Sequence, residues 1–160
     1  SENNNMAGTI TPQHMLITKK DVFVNDDINP HNYCMPVAKE EKDLIALRKY
    51  ACSGNRKFFL GTDSAPHHLK NKISGLSSKP GIFSSPCSIE LYADIFDQEG
   101  ALNKLESFAS INGPIFYKLP VNKHKIKIVR KKWILDEFTT NNKMKIKNFY
   151  GGQELNWKVL

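Results

Sequence analysis

Residues 57–67 read Lys-Phe-Phe-Leu-Gly-Thr-Asp-Ser-Ala-Pro-His, a short apolar run followed by a glycine, a carboxylate and an imidazole. The run at 58–60 has the length and composition of a strand that is buried on both faces. Gly61 ends the run, Asp63 stands where the strand would leave the core, and His67 follows four residues later. In a barrel of parallel strands this is the active-site end, where a carboxylate and an imidazole suit metal ligation or proton transfer. The bland alternative is an Asp63 that caps the next turn, and both interpretations stay open because this spacing alone is a weak pattern.

A longer pattern changes the balance between these two interpretations. The nine residues from Phe59 to His67 resemble the last barrel-strand motif of dihydroorotases of the single-function bacterial and fungal type. These enzymes belong to the amidohydrolase superfamily. Nine consecutive residues that fit one family pattern are far more specific than an isolated Asp and His.

The resemblance runs from about Thr9 to Val159, essentially the whole chain. Four further segments are similar to family motifs: the strand-end segment Thr9–His14, the pocket segment Asn29–Pro36, the closing stretch Pro80–Pro86 and the Asn-Gly-Pro segment Asn112–Pro120. Three positions depart from the family pattern: Met35 replaces the more usual Leu, Pro80 replaces the usual Ala and Lys118 replaces the usual Gly. Proline has no N–H, so a substrate contact at position 80 would come from its carbonyl or its ring.

The resemblance implies an α/β fold, the C-terminal part of a TIM-like (β/α)8 metallo-dependent hydrolase barrel. Residues 1–160 would supply the last two barrel strands, the helices that follow them and the terminal strands of one domain. The family's His-x-His pair, carbamylated lysine and two further histidines would all lie upstream, and no His-x-His occurs in this sequence. We therefore expect the N-terminal metal-binding part to be absent from this chain.

The activity that the resemblance implies is the reversible, zinc-dependent hydrolysis of dihydroorotate to N-carbamoyl-L-aspartate, a step of pyrimidine biosynthesis. In the complete enzyme, a hydroxide bridging two zinc ions would attack the ring carbonyl. Asp63 would ligate one zinc, accept the hydroxide proton and deliver it to the departing amide nitrogen. His67 would bind the substrate carboxylate, with Met35 (through its backbone) and Pro80 orienting the ring. The isolated fragment is expected to be inactive.

Other classes of function remain to be weighed. A dihydroorotase-like chain can also be a non-catalytic structural partner of aspartate transcarbamoylase, but such a scaffold would need neither Asp63 nor His67. The net charge of +7 raises a nucleic-acid interpretation. The densest basic run, at 123–132, alternates Lys with Ile as a strand with one solvated face would, and no nucleic-acid-binding motif surrounds it. We expect a small-molecule substrate, a homodimer in the complete protein and no nucleic-acid partner.

Composition sets further limits. The chain is 40% hydrophobic, which suffices for one core, and no apolar run approaches the ~20 residues that span a membrane. The N-terminus is polar, without a charged-then-apolar leader. The three cysteines lack metal-ligand spacing and fit a reducing compartment. We therefore expect a cytoplasmic protein that does not contact membranes.

Hydrophobic spacing predicts the remaining elements. Helices are predicted over Glu40–Cys52, over Ser88–Phe96 with Ser88 as its cap, and over 102–109 with Asn112-Gly113-Pro114 as its end. Strands are predicted over Thr9–Thr11, Phe58–Leu60 and Leu155–Val159. We expect 68–80 to form an exposed loop with His68 in solvent, His14 to be a supporting or packing residue, and Met35 to allow simple core packing as an alternative to its substrate role.

Overall fold

The computed structural model describes residues 5–73, 77–141 and 143–160. The strands are β1 (Gly8–Ile10), β2 (Phe23–Val24), β3 (Asp27–Ile28), β4 (Phe58–Leu60), β5 (Ile128–Ile134), β6 (Phe138–Asn141), β7 (Met144–Lys147) and β8 (Glu154–Val159). The α-helices are α1 (Lys19–Val22), α2 (Glu41–Ala51), α3 (Ser88–Gln98) and α4 (Asn112–Tyr117). Single 3₁₀ turns lie at Gln13–Met15, Leu69–Asn71, Ser85–Cys87 and Leu102–Lys104, and a π-helical turn lies at Ser107–Ile111.

Strands β1 and β4 pair in parallel, as the barrel resemblance predicts. Gly8 lies opposite Phe58 and Ile10 opposite Leu60, so both strands end at the same edge. The other pairs are antiparallel: β2 with β3, β5 with β8, and β6 with β7. The terminal strand predicted over Leu155–Val159 corresponds to β8 (Glu154–Val159).

Helix α3 lies at the centre of the hydrophobic core. Its apolar side chains recur at helical spacing, which gives the helix a broad buried face. Tyr92 and Phe96 are fully buried in a cluster that includes Ile10 of β1. Leu91 belongs to a second cluster that includes Leu155 of β8. The helix thereby joins the parallel strand pair to the terminal strands.

Two predictions about helix ends are wrong. Cys87 stands at the N-cap position of α3, and Ser88 is its first helical residue, with its hydroxyl donating to Ser84 O over 2.8 Å. The predicted third helix does not stop at Gly113-Pro114 but continues through the π turn into α4. Pro114 is tolerated because it lies in the first turn of α4, where a missing N–H removes no α-helical hydrogen bond.

Helix α4 ends at Lys118, whose φ of 56° is left-handed. This is the position at which the family pattern has Gly, and the left-handed conformation costs a residue with a Cβ roughly 1–2 kcal/mol. We expect Lys118→Gly to raise the free energy of unfolding by about 1 kcal/mol in the complete protein, measured by urea denaturation. The same substitution at Lys49, on the exposed side of α2, should lower it by roughly 0.5–1 kcal/mol. Destabilisation by Lys118→Gly would contradict this account of the helix end.

The basic run at 123–132 is only partly a strand. Strand β5 begins at Ile128, and 121–127 is exposed chain with no strand or helix. The predicted strand therefore does not include Ile126, which is 63% exposed. Within β5 the cations do face solvent. Arg130 pairs with Asp97 and Lys132 with Glu154, each at 2.7 Å. No helix in the described ranges is both long and apolar enough to cross a membrane.

Candidate active site

Buried side chains fix the carboxyl ends of β1 and β4. The Tyr92 hydroxyl donates to Ile10 O, at the end of β1, over 2.7 Å. Gln13 is fully buried after β1, and its Nε2 donates to Thr62 O over 3.0 Å. The residues that follow both strands are therefore fixed relative to each other at one edge of the pair.

Asp63 follows β4 at this edge. It is exposed, and its φ of 46° is left-handed. Such a backbone is uncommon outside glycine, although Asp tolerates it better than most residues. Within the described part of the chain no backbone N–H donates to the Asp63 carboxylate, so the turn-capping interpretation finds no support there.

The turn that follows Asp63 is tied to the stretch at 82–85. Ser64 forms a parallel bridge with Ile82, and its hydroxyl accepts from the amides of Ser84 (3.1 Å) and Ser85 (3.0 Å). The amide of Ala65 donates to Ile82 O over 2.9 Å. These bonds position the loop that carries Asp63 against the segment that begins at Pro80.

His67 and Pro80 are brought into direct contact. His67 Nε2 donates to Pro80 O over 2.9 Å, because a carbonyl can only accept. In the structure the Pro80 carbonyl is thus occupied by His67, and a substrate contact at Pro80 stays a prediction. Next to it, the Gly81 amide donates to Tyr33 O over 2.9 Å, which links Pro80 to the pocket segment.

Met35 lies in that pocket segment, two residues beyond Tyr33. Its side chain is 59% exposed, so the alternative of simple core packing is wrong. The peptide bond from Met35 to Pro36 is cis. The family resemblance assigns the backbone of Met35 to the substrate, which stays a prediction.

His14 has a supporting role, as expected. Its Nε2 donates to Pro36 O over 2.7 Å, and Thr11 Oγ1 donates to its Nδ1 over 2.6 Å. Cys34 Sγ lies 3.8 Å from the same Nε2. Burial, followed by the nearby charge of Asp63, raises the pKa of the Cys34 thiol to about 11, which keeps it protonated and unreactive.

The loop at 68–80 differs most from its prediction, and its residues 74–76 lie outside the described ranges. His68 is half-buried rather than in solvent, and its Nδ1 accepts from the amide of Lys70 over 3.2 Å. Lys72 is buried, with 9% of its surface exposed. Sequence reasoning missed it because lysine is seldom buried without a partner, and nothing in its neighbours indicates burial.

A cavity of about 430 Å³ borders this loop. It is lined by His31, His67, Lys72 and Gly81 among others, whereas Asp63, Met35 and Pro80 are not part of its wall. Burial, together with the charges of Lys72 and Lys147, lowers the pKa of His31. Of the four predicted site residues Asp63, His67, Met35 and Pro80, His67 is the one that lines this cavity.

The described residues do not form a metal site by themselves. No group of three or more His, Cys, Asp or Glu side chains within them could hold an ion. A zinc site needs at least three protein ligands, and Asp63 would supply one oxygen. The donor set here fits a share of a metal site whose other ligands come from elsewhere.

The sequence is similar to dihydroorotases. The dihydroorotase of Erythrobacter litoralis is 47% identical over 159 residues, which are 98% of this chain and 45% of the relative. That of Shewanella halifaxensis is 46% identical over 157 residues, again covering 98% and 45%. No family model matches the chain.

Comparison of the fold with solved structures also finds dihydroorotases. A dihydroorotase of Saccharomyces cerevisiae, solved with 5-fluoroorotic acid, superposes with a TM-score of 0.87 at 30% identity, covering 100% of this chain and 45% of that one. The Campylobacter jejuni dihydroorotase superposes with a TM-score of 0.84 at 30% identity, covering 96% and 44%. These neighbours have a TIM barrel. The chain spans about half the length of the relatives it matches, and in sequence and fold it corresponds to the C-terminal portion of the dihydroorotases.

Proposed function

We propose that residues 1–160 are the C-terminal portion of one barrel domain of a dihydroorotase. The observation that carries the proposal is the arrangement at the strand ends. Asp63 follows β4, His67 bonds Pro80 O at 2.9 Å, and the segment of Met35 is tied to the same loop through Gly81. Family-patterned segments that are distant in sequence thus meet at one edge, which a chance motif match would not explain.

The reaction proposed is the reversible hydrolysis of the cyclic amide of dihydroorotate to N-carbamoyl-L-aspartate, in the cytoplasm. Two zinc ions in the complete protein would polarise the ring carbonyl and make water more acidic. Asp63 would take a proton from the attacking water and deliver it to the ring nitrogen as the C–N bond breaks. The carboxylate is well placed for both transfers because the turn after Asp63 is held by hydrogen bonds of Ser64 and Ala65 to the stretch at 82–85.

His67 would bind the substrate carboxylate. With Nε2 donating to Pro80 O, Nδ1 is the nitrogen left to face the substrate, and it must carry a proton to donate. The proposal therefore has His67 bound as an imidazolium, a charge-assisted donor that is stronger than a neutral one. The backbone near Met35 and Pro80 would orient the ring.

Two features of the complete protein belong to the proposal. The zinc ligands other than Asp63 would come from an N-terminal part, and the whole would form a homodimer. A non-catalytic partner of aspartate transcarbamoylase is the second candidate. The Asp63 carboxylate, which pairs with no group in the described residues, favours catalysis, since a scaffold would have no need of a carboxylate at this position.

The test compares the complete polypeptide of the source gene with residues 1–160 alone. We expect the gene to encode roughly twice this length, with a His-x-His near its start, because two strands cannot close a barrel. The complete polypeptide should bind zinc and hydrolyse dihydroorotate. Residues 1–160 alone should bind zinc poorly and show no turnover.

The controls are the metal content of both proteins and a binding assay with aspartate transcarbamoylase. Robust turnover by residues 1–160, or a reading frame that begins at residue 1, would contradict the proposed domain organisation. A complete polypeptide that is inactive at full zinc occupancy but binds aspartate transcarbamoylase would establish the second candidate.

A further inference from the structure

Lys72 is a buried cation whose three ammonium hydrogen atoms each donate a hydrogen bond. It follows the 3₁₀ turn Leu69–Asn71, and its Nζ donates to Gly81 O (2.7 Å), Lys79 O (2.9 Å) and Tyr33 O (3.3 Å). An ammonium group has three donors, so each finds one backbone carbonyl. No carboxylate pairs with Lys72 in the described part of the chain.

This arrangement opposes the usual behaviour of lysine. Removing an ammonium group from water is costly unless polar groups replace its hydration, and here three peptide dipoles do so. Burial lowers the pKa of Lys72 to about 8. The structural consequence of burying Lys72 is that three backbone carbonyls are held around its ammonium group.

The three carbonyls belong to two different loops. Tyr33 lies in the pocket segment Asn29–Pro36, whereas Lys79 and Gly81 stand on either side of Pro80, where the loop at 68–80 joins the closing stretch. The Gly81 amide also donates to Tyr33 O, so that carbonyl is shared by both contacts. Lys72 thus bridges the two loops and holds the residues on either side of Pro80.

We propose that Lys72 is a positioning residue of the candidate active site. Its ammonium group fixes the closing stretch so that Pro80 O can orient His67, and it fixes the pocket segment that presents the backbone of Met35. The inference rests on the proposed function, from which it takes dihydroorotate as the substrate. A role as nucleophile or base is excluded by the geometry, since every donor faces a carbonyl of the chain itself.

The experiment compares Lys72→Met with Lys70→Met in the complete protein loaded with zinc. Methionine matches the length of the lysine stem and fits a buried site, but it donates no hydrogen bond. Lys70 is an exposed lysine of the same 3₁₀ turn and is the matched control. The readouts are KM and kcat for dihydroorotate, zinc content, and the exchange rate of the Gly81 amide proton.

We expect Lys72→Met to raise KM at least tenfold, to lower kcat less than threefold and to leave the zinc content unchanged. The Gly81 amide should exchange at least tenfold faster, because its acceptor, Tyr33 O, is no longer held. Lys70→Met should match the parent in all four readouts. If Lys72→Met does not fold, Lys72→Gln, which keeps two shorter donors, should raise KM at least threefold.

Two outcomes would overturn the inference: an unchanged KM in the folded Lys72 variants, whatever their stability, or a Gly81 amide that stays fully protected. A parent protein that is inactive at full zinc occupancy would instead overturn the proposed function. The exchange of the Gly81 amide would still decide in that case whether Lys72 holds the two loops.

Discussion

Asp63→Asn is expected to lower the rate of dihydroorotate hydrolysis by a factor of about 10²–10⁴ in the complete protein while the fold stays intact. Asparagine has nearly the same shape, and the Asp63 side chain is exposed, so packing should change little. The amide cannot accept a proton and is a poorer zinc ligand than a carboxylate. The measurement is steady-state kinetics with zinc content and the thermal midpoint determined on the same samples.

Asp26→Asn is the matched control for this substitution. Asp26 is also exposed and also has a left-handed φ, of 62°. It lies in the turn between β2 and β3, not at the carboxyl ends of β1 and β4. It should keep the parent rate and midpoint. If Asp63→Asn retains a tenth or more of the parent rate at full zinc occupancy, Asp63 is not the base, and the family resemblance speaks only for the fold.

His67→Ala should separate binding from chemistry. The substitution removes the proposed carboxylate partner and the hydrogen bond to Pro80 O, but it leaves the proton acceptor in place. We expect KM to rise about tenfold or more, with a smaller change in kcat. An unchanged KM with a strongly lowered kcat would instead assign His67 to the chemical step.

The strand ends could be predicted from the sequence because their signals are local. A buried run, a glycine and a polar residue follow one another within seven positions, and the parallel pairing of β1 with β4 follows from the barrel resemblance. The contact of His67 with Pro80 has no such signal. It depends on how two loops fold back over the strand ends, so only a family motif indicated that both residues serve one site.

Three of the failed predictions have physical causes that the local sequence does not show. Lys72 is buried because three distant carbonyls replace its hydration, and no property of its neighbours in sequence indicates them. The helix continues past Gly113 because a π turn shifts the hydrogen-bonding pattern so that Pro114 falls in a new first turn. Ile126 is exposed although it alternates with lysines, since alternation indicates a buried face only where another element covers it.

Gly61→Ala is expected to destabilise the complete protein by about 3 kcal/mol, the upper end of the usual cost of overpacking. A Cβ at Gly61 would lie 2.5 Å from Thr9 Cβ and 2.8 Å from Thr9 Cγ2. Thr9 is part of β1, so relief of this overlap requires β1 and β4 to move apart at the edge that carries Asp63. The thermal midpoint should fall on the order of 5–10 °C.

Gly8→Ala is the control within the same strand pair. The new Cβ would meet only the ring of Phe58, at an ordinary 3.5 Å, so the stability of the variant should stay within about 0.5 kcal/mol of the parent.

The sharper test is Thr9→Gly, which removes the side chain that the Cβ of Gly61→Ala would overlap. Alone it should cost up to about 1 kcal/mol, and in the double variant Gly61→Ala should add little to that cost. A coupling energy of about 2–3 kcal/mol between positions 9 and 61 would establish that close approach of these two strands requires glycine at 61, whereas additive effects would place the strain elsewhere.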